Sequence, residues 1–342
     1  MVIQYKCPNC GDDMAFDSES GKLSCHSCGR KDNIESFKDE FIVTTFSEDE
    51  AKEYTCKNCG GVVITDADTT ATSCSFCGAG VVLGDRLSGA LAPAKVIPFT
   101  VSKNEAMDAF RKWCKNGRLT PRGFMTADRI KGITGIYVPF WMYDLESAAK
   151  INAVGTKVRT YTQGEYIYTE TSYYDVYRDI KMNYVKVPVD ASEKMNDEMM
   201  DKLEPYDYSS LKKFKTPYLA GYFAEKYNYN DDELLSRVKS KVNSYINSYI
   251  SSTITGYASV QYKNQDIETK KKHSYYVLLP IWMIYYDYDK HEHTFAMNGQ
   301  TGKVVGKPPI SFGKVAAWFG GIASSTFIVL KLVSYLLGGG LW

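Results

Sequence analysis

The sequence predicts an α+β fold with two N-terminal zinc ribbons, a tyrosine-rich α+β domain built on antiparallel sheet, and one C-terminal transmembrane helix. Three observations predict it. Eight of the nine cysteines fall within residues 1–86 as Cys-x2-Cys pairs. Residues 87–308 mix strand-like alternation with helical periodicity and hold most of the 27 tyrosines, a residue suited to half-buried strands and interfaces. Val315 to Leu337 then runs for 23 residues with a single charge, Lys331. The expected divisions are 1–42 and 43–86 for the ribbons, 87–308 for the middle domain, and 309–342 for a linker and the membrane helix.

The first segment is an internal repeat. Cys7, Cys10, Cys25 and Cys28 map onto Cys56, Cys59, Cys74 and Cys77 with a shift of 49 residues, and Tyr5, Asn9, Gly11 and Gly29 map onto Tyr54, Asn58, Gly60 and Gly78. Both modules read Cys-x2-Cys-x14-Cys-x2-Cys. Zinc takes four thiolates in a tetrahedron, each pair biting one edge and a hairpin returning the second pair to the first. Every pair is followed by glycine, which adopts the positive φ that the knuckle's bend requires. Modules of this size lack the core to fold without metal, so two Zn²⁺ are expected. Four thiolates leave no open coordination position for catalysis.

Leu87 to Pro98 reads as a linker entering a strand. Ser102 and Glu105 form a capping box for a helix with Ala106, Phe110 and Trp113 on one face, and Asn116-Gly117 ends it. Cys114, beside Trp113, reads as a packed thiol. Residues 156–187 alternate as two strands joined by a turn at Gln163-Gly164. Residues 191–252 read as helical, Asn230 with Glu233 capping a long helix whose face holds Leu234, Val238, Val242, Tyr245 and Tyr249. Strands resume over 256–306, with a hairpin turn at Asn298-Gly299. Pro139-Phe-Trp141-Met142 is echoed by Pro280-Ile-Trp282-Met283. His291 and His293 alternate but lack a third metal ligand, and Gly299-Gln-Thr-Gly302-Lys303-Val304 is too short for a phosphate loop. No nucleophile elbow, dinucleotide fingerprint or HExxH is present, so the chain is not expected to be an enzyme.

As a helix, Val315 to Leu337 spans about 35 Å, enough to cross a bilayer. Trp318 and Tyr335 lie near its ends, as interface aromatics do. Lys303, Lys307 and Lys314 precede it and no charge follows, which places the N-terminal domains in the cytoplasm of a single-pass cell-membrane protein. That agrees with reduced cysteines and with the absence of a secretory signal in residues 1–20. Ala316, Gly320 and Ser324 form a small-residue stripe, with Lys331 on nearly the same face, so this helix is a candidate for homo- or hetero-association.

The whole chain carries +1, which selects no partner. Residues 1–86 hold 8 Lys plus Arg against 15 Asp plus Glu, a net −7, and eight thiolates with two zinc ions add −4. Such a segment repels phosphate, which favours protein over nucleic acid as the ribbons' partner. Residues 103–131 are locally basic, with eight Lys plus Arg and three acids. A membrane-tethered nucleic-acid-binding protein is the alternative they leave open.

The twin ribbons, Lys95-Val-Ile-Pro-Phe99, Phe110-Arg-Lys-Trp113, Gly135-Ile-Tyr-Val-Pro-Phe-Trp141 and the C-terminal apolar helix together resemble a bacterial family of membrane-anchored twin zinc-ribbon proteins of the TFIIB type. The resemblance covers the whole chain. It implies a membrane protein encoded beside a phage-shock protein A homologue and an SPFH-domain (flotillin-like) protein. It also implies an adaptor role in a membrane-stress response, recruiting those partners to the membrane.

Overall fold

The computed structural model describes residues 2–37, 52–57, 59, 60, 62–65, 68–74, 79–83, 92–115, 117, 119–121, 124, 130–288 and 291–336. The first ribbon holds β1 (Val2–Ile3), β2 (Met14–Asp17), β3 (Lys22–Cys25) and β4 (Lys31–Asp32). The second holds β5 (Lys52–Thr55), β6 (Val62–Thr65), β7 (Thr69–Ser73) and β8 (Gly80–Leu83). There follow β9 (Lys95–Val96), α1 (Lys103–Lys115), β10 (Ile130–Gln163), β11 (Tyr166–Asp190), α2 (Asp197–Lys202), β12 (Lys212–Lys213) and β13 (Phe223–Glu225). The chain then forms α3 (Leu235–Thr253), β14 (Ser259–Tyr288), β15 (His291–Asn298), β16 (Val304–Val305) and α4 (Phe312–Leu336). This is the α+β architecture with antiparallel sheets that the sequence predicts.

Three long strands organise the molecule. β10 pairs antiparallel with β11 on one side and β14 on the other. Each proline of the repeated Pro-x-Trp-Met motif marks where the flanking strand ends. β11 leaves β10 at Phe140↔Asp190, next to Pro139, and β15 leaves β14 at Ile281↔Asn298, next to Pro280. A residue without an N–H is tolerated where no ladder bond is demanded of it. The two tryptophans act alike. The indole N–H of Trp141 donates to the Tyr229 carbonyl at 2.9 Å, and that of Trp282 to the Val101 carbonyl at 3.0 Å. Each straps a neighbouring loop onto the sheet. Turn chemistry holds at both predicted sites. Gly164 has φ 63° in the β10–β11 turn, and the Asn298 side chain accepts from the Gln300 and Thr301 backbone N–H groups between β15 and β16.

At its base the sheet is covered on both faces, because alternate β10 side chains point opposite ways. Ile133 and Tyr137 meet α1 and the aromatic cluster of Phe99, Tyr222 and Trp282. Ile136, Val138, Phe140 and Met142 meet Met200 and Leu203 around α2. The Ser102–Glu105 capping box closes α1 as predicted: the Ser102 N–H donates to Glu105 at 2.8 Å, and the Glu105 N–H to the Ser102 hydroxyl at 3.4 Å. Further along the strands, α3 lies across β10 and β11.

The region 191–252 departs from expectation. Only α2 and α3 are α-helical there, with turns, 3₁₀ segments and short strands between them. Asn230 and Glu233 do form reciprocal hydrogen bonds, at 2.7 and 3.0 Å, but they close a turn preceding α3. The buried row of α3 is Val238, Val242, Ile246 and Ile250, continued from Leu234 just before the helix, whereas Tyr245 and Tyr249 are 55% and 52% exposed. An unbroken four-residue spacing of aliphatics faces the sheet, and the tyrosines fall one position outside it.

Both ribbons are sewn into the main sheet. β7 and β8 pair with each other, β7 pairs with β13, and β1 pairs with β8, so the eleven-stranded sheet reaches into residues 1–86. Beyond Thr156↔Ser259, where β14 begins, β10 and β11 continue alone as a two-stranded arm to Gln163↔Tyr166.

Candidate functional site

The first metal centre is assembled by two knuckles and a hairpin. In each knuckle the glycine after the second cysteine donates back to the first cysteine's carbonyl: Gly11 to Cys7 at 2.8 Å and Gly29 to Cys25 at 3.0 Å. Gly11 and Gly29 sit at φ 76° and 73°, the region the bend demands. The β2–β3 hairpin, in register Met14↔Cys25, carries the second knuckle back to the first. The sulfurs of Cys7, Cys10, Cys25 and Cys28 lie within 4.8 Å of one another, with Cys7–Cys28 and Cys10–Cys25 at 3.5 Å. A zinc–sulfur distance of about 2.3 Å implies tetrahedral S···S edges of about 3.8 Å, whereas a disulfide requires about 2.0 Å. The arrangement fits zinc and not a disulfide.

Without metal the cysteines of the first centre differ in acidity. The Cys28 thiol is lowered to about 6, first by the backbone N–H of Arg30, then by the Asn9 side chain and the neighbouring thiols. At Cys10 the backbone N–H of Asp12 pulls down, but hydrogen bonds with Cys25 and Cys28, and burial, push up to about 12. The two N–H groups stand two residues after the second cysteine of their knuckles, in equivalent positions. When bound, zinc takes all four as thiolates, so metal entry releases protons and its affinity falls in acid. The Ser27 hydroxyl donates to the Asp12 carboxylate and ties one knuckle to the other.

The second centre repeats the design. Cys56, Cys59 and Cys74 converge within 4.8 Å, Cys59–Cys74 at 3.7 Å, and Gly60 at φ 73° donates to the Cys56 carbonyl at 2.9 Å. Cys77 and Gly78 lie outside the described residues. One feature of this centre has no signal in the repeat: the Gln4 side-chain amide donates to Cys56 Sγ at 3.6 Å. Among the described residues, the two cysteine clusters are the only groups of ligating side chains placed to hold a metal. His293 instead meets Phe124 edge-on and lies over Phe295, and Cys114 is buried, with desolvation raising its thiol to about 12. The protein carries two zinc sites.

Two other surfaces stand out. α4 has 25 residues, a mean hydropathy of 1.6 over its most apolar window and no buried residue. It is long and apolar enough to cross a membrane. Ala316, Gly320 and Ser324 are exposed along it, and Lys331 Nζ lies 5.8 Å from the Phe327 ring centroid. α4 is rooted beside α1: the Ser311 N–H donates to the Leu119 carbonyl at 2.8 Å and Lys314 Nζ to the Thr120 carbonyl at 2.6 Å. The second surface is the arm. Its cross-strand pairs put Arg159, Tyr161, Tyr166, Tyr168 and Glu170 on one face, with Tyr161 and Tyr168 stacked at 5.6 Å. Val158, Thr160, Thr162, Ile167, Thr169 and Thr171 make the other face, which carries no charge. Tyr166 and Ile167 are 70% and 73% exposed at the tip.

Comparison with known proteins agrees with the metal chemistry. The TFIIB zinc-binding family matches residues 5–46, which contain the first centre. No solved structure matches the chain. An uncharacterized Bacillus subtilis protein, YdjG, is 67% identical over 340 residues, covering 99% of this chain and all of that protein. With two zinc sites and identity of that extent along its whole length, the chain belongs to the YdjG family of zinc-ribbon proteins.

Proposed function

We propose that the protein is a non-enzymatic adaptor anchored in the cell membrane by α4, with its ribbons and tyrosine-rich domain presenting protein-binding surfaces at the cytoplasmic face. One observation carries this reading: an apolar helix with no buried residue and an exposed tyrosine-rich arm sit at opposite ends of the same strands. Ile130 of β10 pairs with Tyr286 close to where α4 is rooted, while Gln163 ends the arm. Tyrosine supplies large contact area with little entropy lost on binding. The partners the family resemblance suggests are an SPFH-domain (flotillin-like) protein and a phage-shock protein A homologue, recruited during membrane stress. Lys303 and Lys307 before α4, with Lys314 in its first turn, support the cytoplasmic orientation.

The test is crosslinking in native membranes with the full chain and a variant in which residues 158–171 are replaced by a short turn. The arm reading expects partner crosslinks to disappear while the chain still resists carbonate extraction. Unchanged crosslinks would remove the arm from the interface. A reporter at the N-terminus should be active only inside the cell. A salt-sensitive DNA shift by residues 1–310 would favour the nucleic-acid alternative instead.

A further inference from the structure

The segment before the first cysteine belongs to both ribbons. β1 pairs with β8 in register Val2↔Leu83 and Ile3↔Val82, so the first strand of the first ribbon lies beside the last strand of the second. Val82 and Leu83 are buried, and Leu83 packs in the cluster that contains Cys56 and Cys74. The next residue, Gln4, donates its side-chain amide to Cys56 Sγ. Tyr5 follows. Its hydroxyl meets Thr216 Oγ1 at 2.6 Å, its ring meets Phe37 edge-on at 5.5 Å, and its carbonyl accepts from the Met14 N–H at 2.8 Å. Cys7, a ligand of the first centre, comes two residues later. Three residue steps therefore join a side chain on the second centre's sulfur to a ligand of the first.

The Gln4 amide can serve a thiolate at Cys56. Its Oε1 is buried without a hydrogen-bond partner, while its Nε2 faces the sulfur. A thiol accepts either end of the amide. A zinc-bound thiolate is only an acceptor and tolerates only the N–H end. Donors of this kind hold a metal ligand in place and withdraw charge from it.

We propose that Gln4 is a positioning residue of the second zinc centre and that residues 2–7 couple the two centres, so that filling the first holds Gln4 against Cys56 and slows zinc loss from the second. The proposal rests on the two-zinc assignment. That assignment is checked independently by elemental analysis, which should give two zinc ions per chain before any variant is compared.

The experiment uses the full chain in detergent. Zinc release to a chromogenic chelator is followed for the parent, for Gln4→Leu, for Cys7→Ser/Cys10→Ser, which abolishes the first centre, and for the combination. Gln4→Leu should speed the release of one of the two ions by about tenfold and leave the other unchanged. Cys7→Ser/Cys10→Ser should speed release from the remaining centre in the parent background and add little in the Gln4→Leu background. A purely structural role is separated by cobalt substitution. Loss of the N–H···S bond raises the energy of the sulfur lone pair, so the sulfur-to-cobalt charge-transfer band should move to longer wavelength in Gln4→Leu. If Gln4→Leu does not fold, Gln4→Asn withdraws the amide by one methylene and serves the same comparison. Unchanged release and an unchanged cobalt spectrum overturn the assignment of Gln4. Multiplicative effects in the combined variant overturn the coupling.

Discussion

Gly221 sits at φ 88° between the two ribbons, and a Cβ there would stand 3.0 Å from the Ala15 Cβ. On its other side, a Cβ on Gly80 of the second ribbon would stand 3.0 Å from the Gly221 backbone nitrogen. The Phe16 N–H donates to the Ala220 carbonyl at 2.9 Å, and Phe16 packs edge-on against Tyr218 at 5.5 Å. One backbone position of the middle domain thus seats both ribbons. Gly221→Val adds a β-branched side chain where φ is positive and the Ala15 methyl stands only 3.0 Å from the Cβ position, at about 1–3 kcal/mol for the dihedral alone. Thermal melting should show a lowered midpoint, and Gly11→Ala, with nothing within 4 Å, should cost only the dihedral strain. Equal losses at the two sites would mean that packing between the ribbons contributes nothing. Residue-level chemistry was legible where it is local. The cysteine spacing and the glycines after it read straight into knuckles, because each knuckle closes within six residues. Gln4 was not legible, since its partner lies 52 residues away and the repeat has no counterpart for it.

At the scale of elements, caps and turns were readable and long-range pairing was not. The Ser102–Glu105 box and the Gln163-Gly164 turn depend on neighbours in sequence. The length of β10 depends on β14, more than one hundred residues later, and on bulges such as that at Tyr143/Leu145 that reset its alternation. In α3 a helical repeat admits two adjacent stripes, and only the sheet beneath decides that Ile246 and Ile250 are inside. Ile246→Ala should therefore cost about 2–5 kcal/mol in denaturant unfolding, while Tyr249→Ala should fall within about 0.5 kcal/mol. The reverse order would restore the tyrosine face. For α4, close approach of helices in lipid depends on small side chains. Gly320→Leu is expected to reduce crosslinking between membrane helices without impairing insertion, and Lys331→Leu to affect association more than anchoring. If every crosslink survives Gly320→Leu, the helix acts as an anchor alone.

Across the whole molecule, metal and sheet are linked. Zinc binding supplies on the order of 10 kcal/mol of folding energy in ribbons, and β7 and β8 pass that constraint to β13 and so to β10. Cys59→Ser should lose one zinc by elemental analysis and also lower the melting midpoint of residues 87–308. Melting of that region at the parent temperature would show the shared strands to be dispensable. The length of β10 also makes the protein a ruler. From Ile130 to Gln163 its contour is about 110 Å at roughly 3.3 Å per residue, so the strand sets a spacing between the foot of α4 and the arm's tip. That spacing is quantised. Removing two residues from each arm strand would shorten it by about 7 Å and keep both faces oriented, whereas removing one from each would exchange the charged tyrosine face for the uncharged threonine face. Height and facing can therefore be varied separately in the same hairpin.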